Sequence, residues 1–206
     1  MVDSHKFSSN RDQYSFVFSP DIFVDENTRL KIPAIEDAEI LFQLVEKNRD
    51  YLRERLQWLD SISSLQDEIN FIVTSRNNQI QGSSGTWLIF ENNEVLGTLT
   101  LNWLDWENNS CGIGYWISKQ KSGKGIVTSC CRSLINHLIR NNKLHRFVIE
   151  AAVDNYASRK VAEKLGMRLE GINKDRAIVN GKYVDHVMYA ITAPEWKEFY
   201  FSNIFD

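Results

Sequence analysis

Cysteine and proline are scarce in this chain, with three of each in 206 residues. Cys130 and Cys131 are adjacent in a stretch of helical periodicity and point to different sides of it, while Cys111 lies in a strand-like run. An odd count without a C-x-x-C pair argues against a disulfide framework, a zinc site and a redox motif. Buried reduced thiols and no metal are the expectation. No apolar run approaches the roughly 18 residues that span a bilayer, and the polar stretch Met1 to Asn10 lacks a signal-peptide core. No membrane association and a cytoplasmic location are therefore expected. The formal net charge is -3 and the basic residues are scattered, without the stripe that binds phosphate backbones, so no nucleic-acid partner is expected. Repeats, low-complexity segments and Pro/Gly-rich linkers are missing too. This leaves a single domain, expected over 21–192, with an N-terminal extension at 1–20 and a helical tail at 193–206.

What is present is the composition of a folded globular chain, 43% hydrophobic and 25% charged, long enough to bury a core without staples. Thr28 to Ile32 alternates as a strand. Helical spacing begins at Glu36, with Ile40, Leu41, Leu44 and Val45 inward, and returns over about Leu65 to Arg76, with Ile69, Ile72 and Val73 inward. Between them, Tyr51 to Leu59 mixes aromatic and charged residues. Strand-like runs follow at Thr86 to Phe90, Val95 to Leu104 and Cys111 to Ser118, the first two joined by a hairpin turn at Glu91 to Glu94. A long helix over roughly Gly125 to Arg140, a strand over His145 to Val153 and a short helix from Ala157 to Leu165, closed by Gly166, come next. Two last strands, 167–179 and 183–191, flank the hairpin signal Asn180-Gly181. Thr192 to Glu195 reads as a capping box opening a helix with Trp196, Phe199 and Tyr200. Tyr14 to Phe18 is one more candidate edge strand. The pattern predicts an α/β fold with a mixed, mostly antiparallel central sheet and flanking helices.

The most informative stretch runs from Gly114 through Gln120-Lys121-Ser122-Gly123-Lys124-Gly125 to Ile126. A strand ends, two glycines follow, and a long helix begins. A helix N-terminus leaves unpaired N–H donors at the positive end of the macrodipole, and glycines let the backbone close around an anion. Phosphate or pyrophosphate recognition is the chemistry implied, with Lys121 and Lys124 adding charge. The spacing is neither that of a P-loop nor that of a Rossmann fingerprint. By themselves, two glycines before a helix also fit a tight turn that binds nothing.

About thirty residues on, Val153-Asp154-Asn155 ends a strand and Tyr156-Ala157-Ser158 opens a short helix. Here the chain resembles the GCN5-related N-acetyltransferase superfamily. Gln120, Gly123 and Gly125 meet that superfamily's [QR]-x-x-G-x-[GA] cofactor motif. Asn155, Ser158, Gly166 and Met167 meet its N-x-x-[AS]-x-x-x-x-x-x-G-[FM] signature. The resemblance covers about Arg29 to Tyr189. Gly114 to Ile117, Leu169-Glu170-Gly171, Tyr183 to Tyr189 and Tyr51 to Leu59 are similar to the Rim-type ribosomal-protein N-terminal acetyltransferases.

The resemblance implies a sheet splayed to hold acetyl-CoA as co-substrate, and direct attack of an amine on its thioester. It places the pyrophosphate on the backbone of Ser122, Gly123, Lys124, Gly125, Ile126 and Val127, beside Gln120 and Lys121. Pantetheine is placed along Trp116, Ile117 and Ser118, with Asn155 in contact, and Gly112 and Gly114 suit a bulge that opens the slot. Ala162 stands where many members carry an acid tyrosine, so Ser158 is the candidate to protonate the leaving thiolate. Both Asn155 and Ser158 also fit plain helix capping. Ala177 stands where Rim-type relatives carry a glutamate base, and Asp175, Glu150, Asp105, Glu107 or a water chain are the substitutes left open. A peptide α-amine, with pKa about 7.7–8.0, suits a site without a strong base better than a lysine or polyamine amine near 10.4. The N-terminus of a ribosomal protein is thus the expected acceptor. The alternatives are a small amine such as an antibiotic or polyamine, or an acyl-CoA-binding module without catalysis. Rim-like relatives imply a homodimer.

Overall fold

The structure, a computed structural model, describes residues 21–202; the candidate strand Tyr14 to Phe18 lies outside them. Among the described residues one sheet has eight strands: β1 (Asp21–Phe23), β2 (Thr28–Lys31), β3 (Gly85–Glu91), β4 (Glu94–Asp105), β5 (Ser110–Ile117), β6 (Arg146–Ala152), β7 (Arg168–Val179) and β8 (Lys182–Thr192). Their order is β1-β2-β3-β4-β5-β6-β8-β7, and every neighbouring pair is antiparallel except β5 and β6. The helices are α1 (Ala38–Lys47), α2 (Arg49–Arg53), α3 (Leu65–Ile80), α4 (Ile126–Asn142), α5 (Tyr156–Lys164) and α6 (Ala193–Ser202). The expected α/β class and mixed, mostly antiparallel sheet are what the chain forms.

Turn chemistry explains the hairpins. Asn92 and Asn93 sit at φ 50° and 66°, and Asn180 and Gly181 at 51° and 74°, in the left-handed region that the tight connections between twisted strands require. The parallel pair β5–β6 needs a long crossover, which α4 supplies. Helices cover both faces of the sheet. Trp87 and Ile89 of β3 join a core with Leu134, Leu138 and Trp196, while Leu88 and Phe90 join Leu41, Val45, Leu52 and Leu59 on the other side. Strand alternation thus sends successive residues into two different cores, which is why Trp87 to Phe90 reads as an unbroken apolar run.

Two inward faces differ from the sequence expectation. Ile40 is 43% exposed, whereas the expected Leu41 and Val45 are buried together with Ala38. Val73 is 40% exposed, and the buried residues of α3 are Glu68, Ile72, Ser75 and Gln79. These four follow helical spacing, so the stripe is real, but three of its members are polar. At the other end of the fold, Thr192 donates from N and Oγ1 to Glu195 Oε2 at 2.8 and 2.6 Å. That caps α6 as expected, and Trp196 follows, donating to Asn136 Oδ1 on α4 at 2.8 Å.

Candidate active site

β5 and β6 begin side by side and then part. Their ladder holds the pairs Ser110–Arg146, Cys111–Phe147 and Gly112–Val148, and the later residues of the two strands are not paired. Two cavities open where they diverge. One, of about 700 Å³, is lined by Trp116 and Ile117, the turn before α4, the start of α4 and one face of α5. The other, of about 1000 Å³, is walled by α3, β4, β6 and β8. Arg55, Leu56, Tyr115, Trp116, Asn155 and Ser158 line both, so the cavities meet along Tyr115 and Ser158.

The expected bulge lies next door. Leu101 pairs with Ile113 and Trp103 with Gly112, which leaves Asn102 of β4 as the extra residue. Gly112 and Gly114 serve it by leaving room: a Cβ on Gly112 would stand 2.2 Å from Trp103 Nε1, and one on Gly114 2.6 Å from Asn102 Oδ1.

The turn before α4 combines open space with the N-terminus of a long helix. Gly123 and Gly125 have φ 77° and 84°, and a Cβ on either would meet nothing within 4 Å. Gly125 is the N-cap of a 17-residue helix and offers no side-chain cap, so the first-turn N–H groups keep their donor capacity. Asn48 steadies the turn from below, its Oδ1 accepting from Lys119 N at 3.0 Å. Ser122, Gly123, Gly125, Ile126 and Val127 line the smaller cavity, as do Trp116, Ile117, Asn155 and Ser158. Ser118, Gln120 and Lys124 do not. Ser118 is buried and donates its N–H to Leu96 O at 2.8 Å, and Gln120 and Lys124 are exposed. Lys121 lines the cavity, but its ammonium is engaged by Glu91, with Glu94 at 3.8 Å. Sequence reading missed Lys160 and Lys164, which line the cavity from α5 one turn apart in register with Tyr156. Their i, i+4, i+8 spacing was the available signal.

Asn155 caps α5 through Oδ1, which accepts from Ser158 N at 3.2 Å. Ser158 Oγ lies 2.9 Å from Tyr115 Oη, and Tyr115 also donates to Ser158 O at 3.2 Å. Burial first, and then the neighbouring Cys131, push the Tyr115 phenol well above its ordinary range. It stays protonated, and serves as a neutral partner that fixes the serine hydroxyl at the junction of the cavities.

Among the acids expected near the acceptor, Asp105 is spent on a turn, accepting from Asn108 N at 3.0 Å and Nδ2 at 2.8 Å. Asp175 has φ 50° and lies in an irregularity of β7, where the register jumps between Asn173 and Ala177 while β8 moves from His186 to Val184. Strand alternation therefore does not carry from Ala177 back to Asp175. Glu150 lines the larger cavity but is held by Arg176 Nε at 3.0 Å. The carboxylate that sequence reading missed is Glu68 of α3. It is 2% exposed, lines the larger cavity, and its Oε2 has no hydrogen-bond partner among the described residues. Burial pushes it up to about 7.

Comparison with known proteins bears on what such a site carries. The family model described as "Acetyltransferase (GNAT) domain" matches residues 28–168. A ribosomal-protein-serine acetyltransferase of Escherichia coli (strain K12) is 31% identical over 169 residues, 82% of this chain and 94% of that protein. Among solved structures, RimL, a ribosomal alpha-N-protein acetyltransferase in complex with coenzyme A, superposes with TM-score 0.81 at 32% identity, over 84% of this chain and 97% of its own. A microcin self-immunity acetyltransferase, MccE, in complex with acetyl-CoA and AMP, gives TM-score 0.82 at 28% identity, over 86% and 99%.

Proposed function

This chain belongs to the GNAT acetyltransferase family and is an acetyl-CoA-dependent N-acetyltransferase, and from that premise we propose that its acceptor is the N-terminal α-amine of a protein, of the ribosomal class. The observation that carries the reading is the pair of cavities meeting at Ser158, with a ribosomal-protein-serine acetyltransferase and a ribosomal alpha-N-protein acetyltransferase matching along most of the chain. The acceptor cavity of about 1000 Å³ is large enough for the first residues of a peptide.

Bound acetyl-CoA supplies an acetyl group activated as a thioester. The geometry supports the following roles for the chain's own groups. The first turn of α4 and the glycines at positive φ take the pyrophosphate, and the free edge of β5 after Gly112 takes the pantetheine amides. Ser158, held by Tyr115, gives a proton to the sulfur as it leaves. Ser158→Ala is expected to lower kcat about 10- to 100-fold, because Tyr115 remains as a donor nearby. Acetyl-CoA affinity should hardly change, since the charge on sulfur develops only as the bond breaks. Turnover equal to the parent's would return Ser158 to helix capping.

The acceptor is tested by mass spectrometry on a peptide with a free first residue and an internal lysine, with spermidine in parallel. Acetylation at the first residue is expected. An α-amine is about 2.5 pKa units easier to neutralise than a lysine, roughly 3.5 kcal/mol. Acetyl-lysine, or acetylspermidine with an unmodified peptide, would overturn the N-terminal reading. The self-immunity acetyltransferase was solved with AMP as well as acetyl-CoA, and that small-molecule ligand favours a small amine as the second reading. Against a polyamine, two of the four acids around the larger cavity are already paired, Asp154 with Arg55 and Glu150 with Arg176.

A further inference from the structure

We propose that Glu68 is the general base of this enzyme, taking the proton from the incoming ammonium in the larger cavity; the inference rests on the N-acetyltransferase reading and assigns its missing base. Four observations converge. Glu68 is 2% exposed, on a helix that packs beside β3. It faces a cavity whose other walls include Thr98, Thr100, Tyr115 and Ser158, the last two at the junction with the cofactor cavity. Its Oε2 has no hydrogen-bond partner among the described residues. A buried carboxylate oxygen without a partner is costly to the fold, and such a group is a candidate for a task other than stability. Finally, Ala177 stands where the Rim-type resemblance implies a glutamate base, so that position offers no ionisable group.

Several charged groups share that cavity, and some of them are already engaged in ion pairs. Arg55 is paired with Asp154 at 2.7 Å, and Glu150 with Arg176 at 3.0 Å. Asp67, beside Glu68 on α3, is bound to the Ser63 and Ser64 groups at the helix start. His186 and Lys182 reach the cavity from the β8 side, and Glu54 from the segment after α2. Burial is what raises the Glu68 carboxyl to about 7, close to where a general base works best at neutral pH.

Atoms balance as follows. The ammonium gives one proton to a Glu68 oxygen, and the freed lone pair forms the C–N bond to the acetyl carbon as the C–S bond breaks. The nitrogen sheds a second proton as the amide forms. Ser158 gives its proton to the departing sulfur and regains one from the nitrogen, and the proton held by Glu68 passes to solvent.

The test measures kcat/KM against pH for wild type, Glu68→Gln and Glu68→Asp, on a serine-first peptide and on spermidine. Glu68→Gln should lose about 100-fold at pH 7. That loss should shrink as pH rises past 8, where the α-amine is already neutral. Glu68→Asp should recover part of the rate, and the thermal shift given by acetyl-CoA should be the same in all three. A parent-like rate in Glu68→Gln, or one equal loss at every pH, overturns the proposal. If spermidine alone reacts, the peptide reading fails while the Glu68 comparison is still decided on spermidine.

Discussion

The double replacement Gly123→Val and Gly125→Val is expected to abolish the stabilisation that acetyl-CoA gives the fold. In wild type, saturation at a hundred times the dissociation constant should add about 2.7 kcal/mol. For a chain of this length that is a rise in Tm of roughly 5–10 °C. Both glycines sit at positive φ, 77° and 84°, where a side-chain-bearing residue pays about 1–2 kcal/mol and a β-branched one more. Nothing lies within 4 Å of a Cβ at either position, so the neighbours do not object. Two effects remain. Valine drives the turn out of the left-handed region and rotates its N–H groups away, and it fills the open space an anion needs.

Asparagine separates these effects, because it tolerates the left-handed region but still carries a side chain. Gly125→Asn is expected to retain part of the shift. Gly171→Ala serves as the control, since its backbone needs no positive φ and its Cβ would meet nothing within 4 Å. Differential scanning fluorimetry over an acetyl-CoA titration reads all four proteins. An undiminished shift in the double variant would remove the pyrophosphate from this turn.

These expectations began in the sequence, and the reasons they were legible there are physical. The two hairpins, the turn before α4 and the cap of α5 each depend on one residue type in one backbone conformation, and such residues announce themselves. Asn180-Gly181 and Gly123 with Gly125 are of this kind. Much of the smaller cavity's lining comes from such positions and their neighbours, so Gly123, Gly125, Asn155 and Ser158 could be picked out without coordinates, while Ser118, Gln120 and Lys124 fall outside it. The acceptor side is built otherwise. It gathers Glu68, Glu150 and His186 from α3, β6 and β8, segments distant in the chain that only the sheet order brings together. Glu68 was hidden for a second reason. Hydrophobic periodicity assigns a helix its inward face by its apolar residues, and on α3 the buried stripe is Glu68, Ile72, Ser75 and Gln79. The apolar Val73 drew the stripe to the wrong side. Tyr115 escaped because an aromatic residue in a buried strand reads as core; its bond to Ser158 spans 43 positions. Asp175 lies in the β7 irregularity, where one face cannot be counted across the shifted register.

Glu68 also leaves a mark on stability, and Glu68→Gln is expected to erase it. The ordinary glutamate value of 4.5 is raised to about 7 in the fold, a gap of about 2.5 in pKa. Between those values the folded chain holds a proton there and the unfolded chain does not. Stability therefore falls as pH rises, by at most about 3 kcal/mol, with the loss beginning near pH 4.5 and complete above 7. Carboxylates whose pKa values are lowered, such as Asp154 by Arg55 and Glu170 by Arg146, act in the opposite sense and below pH 4.5. They are common to both proteins and cancel in the difference. Urea unfolding of wild type and Glu68→Gln at steps from pH 4.5 to 8 should give a difference curve that climbs in favour of the variant by up to about 3 kcal/mol. Any fixed cost of a buried amide shifts that curve without tilting it. A flat curve would mean that Glu68 ionises as an ordinary surface carboxylate, and its place as the base would go with it. A climbing curve, together with the rate loss at pH 7, would identify Glu68 as a group held half-ionised at the expense of the fold, the pattern expected where activity and stability compete for one side chain.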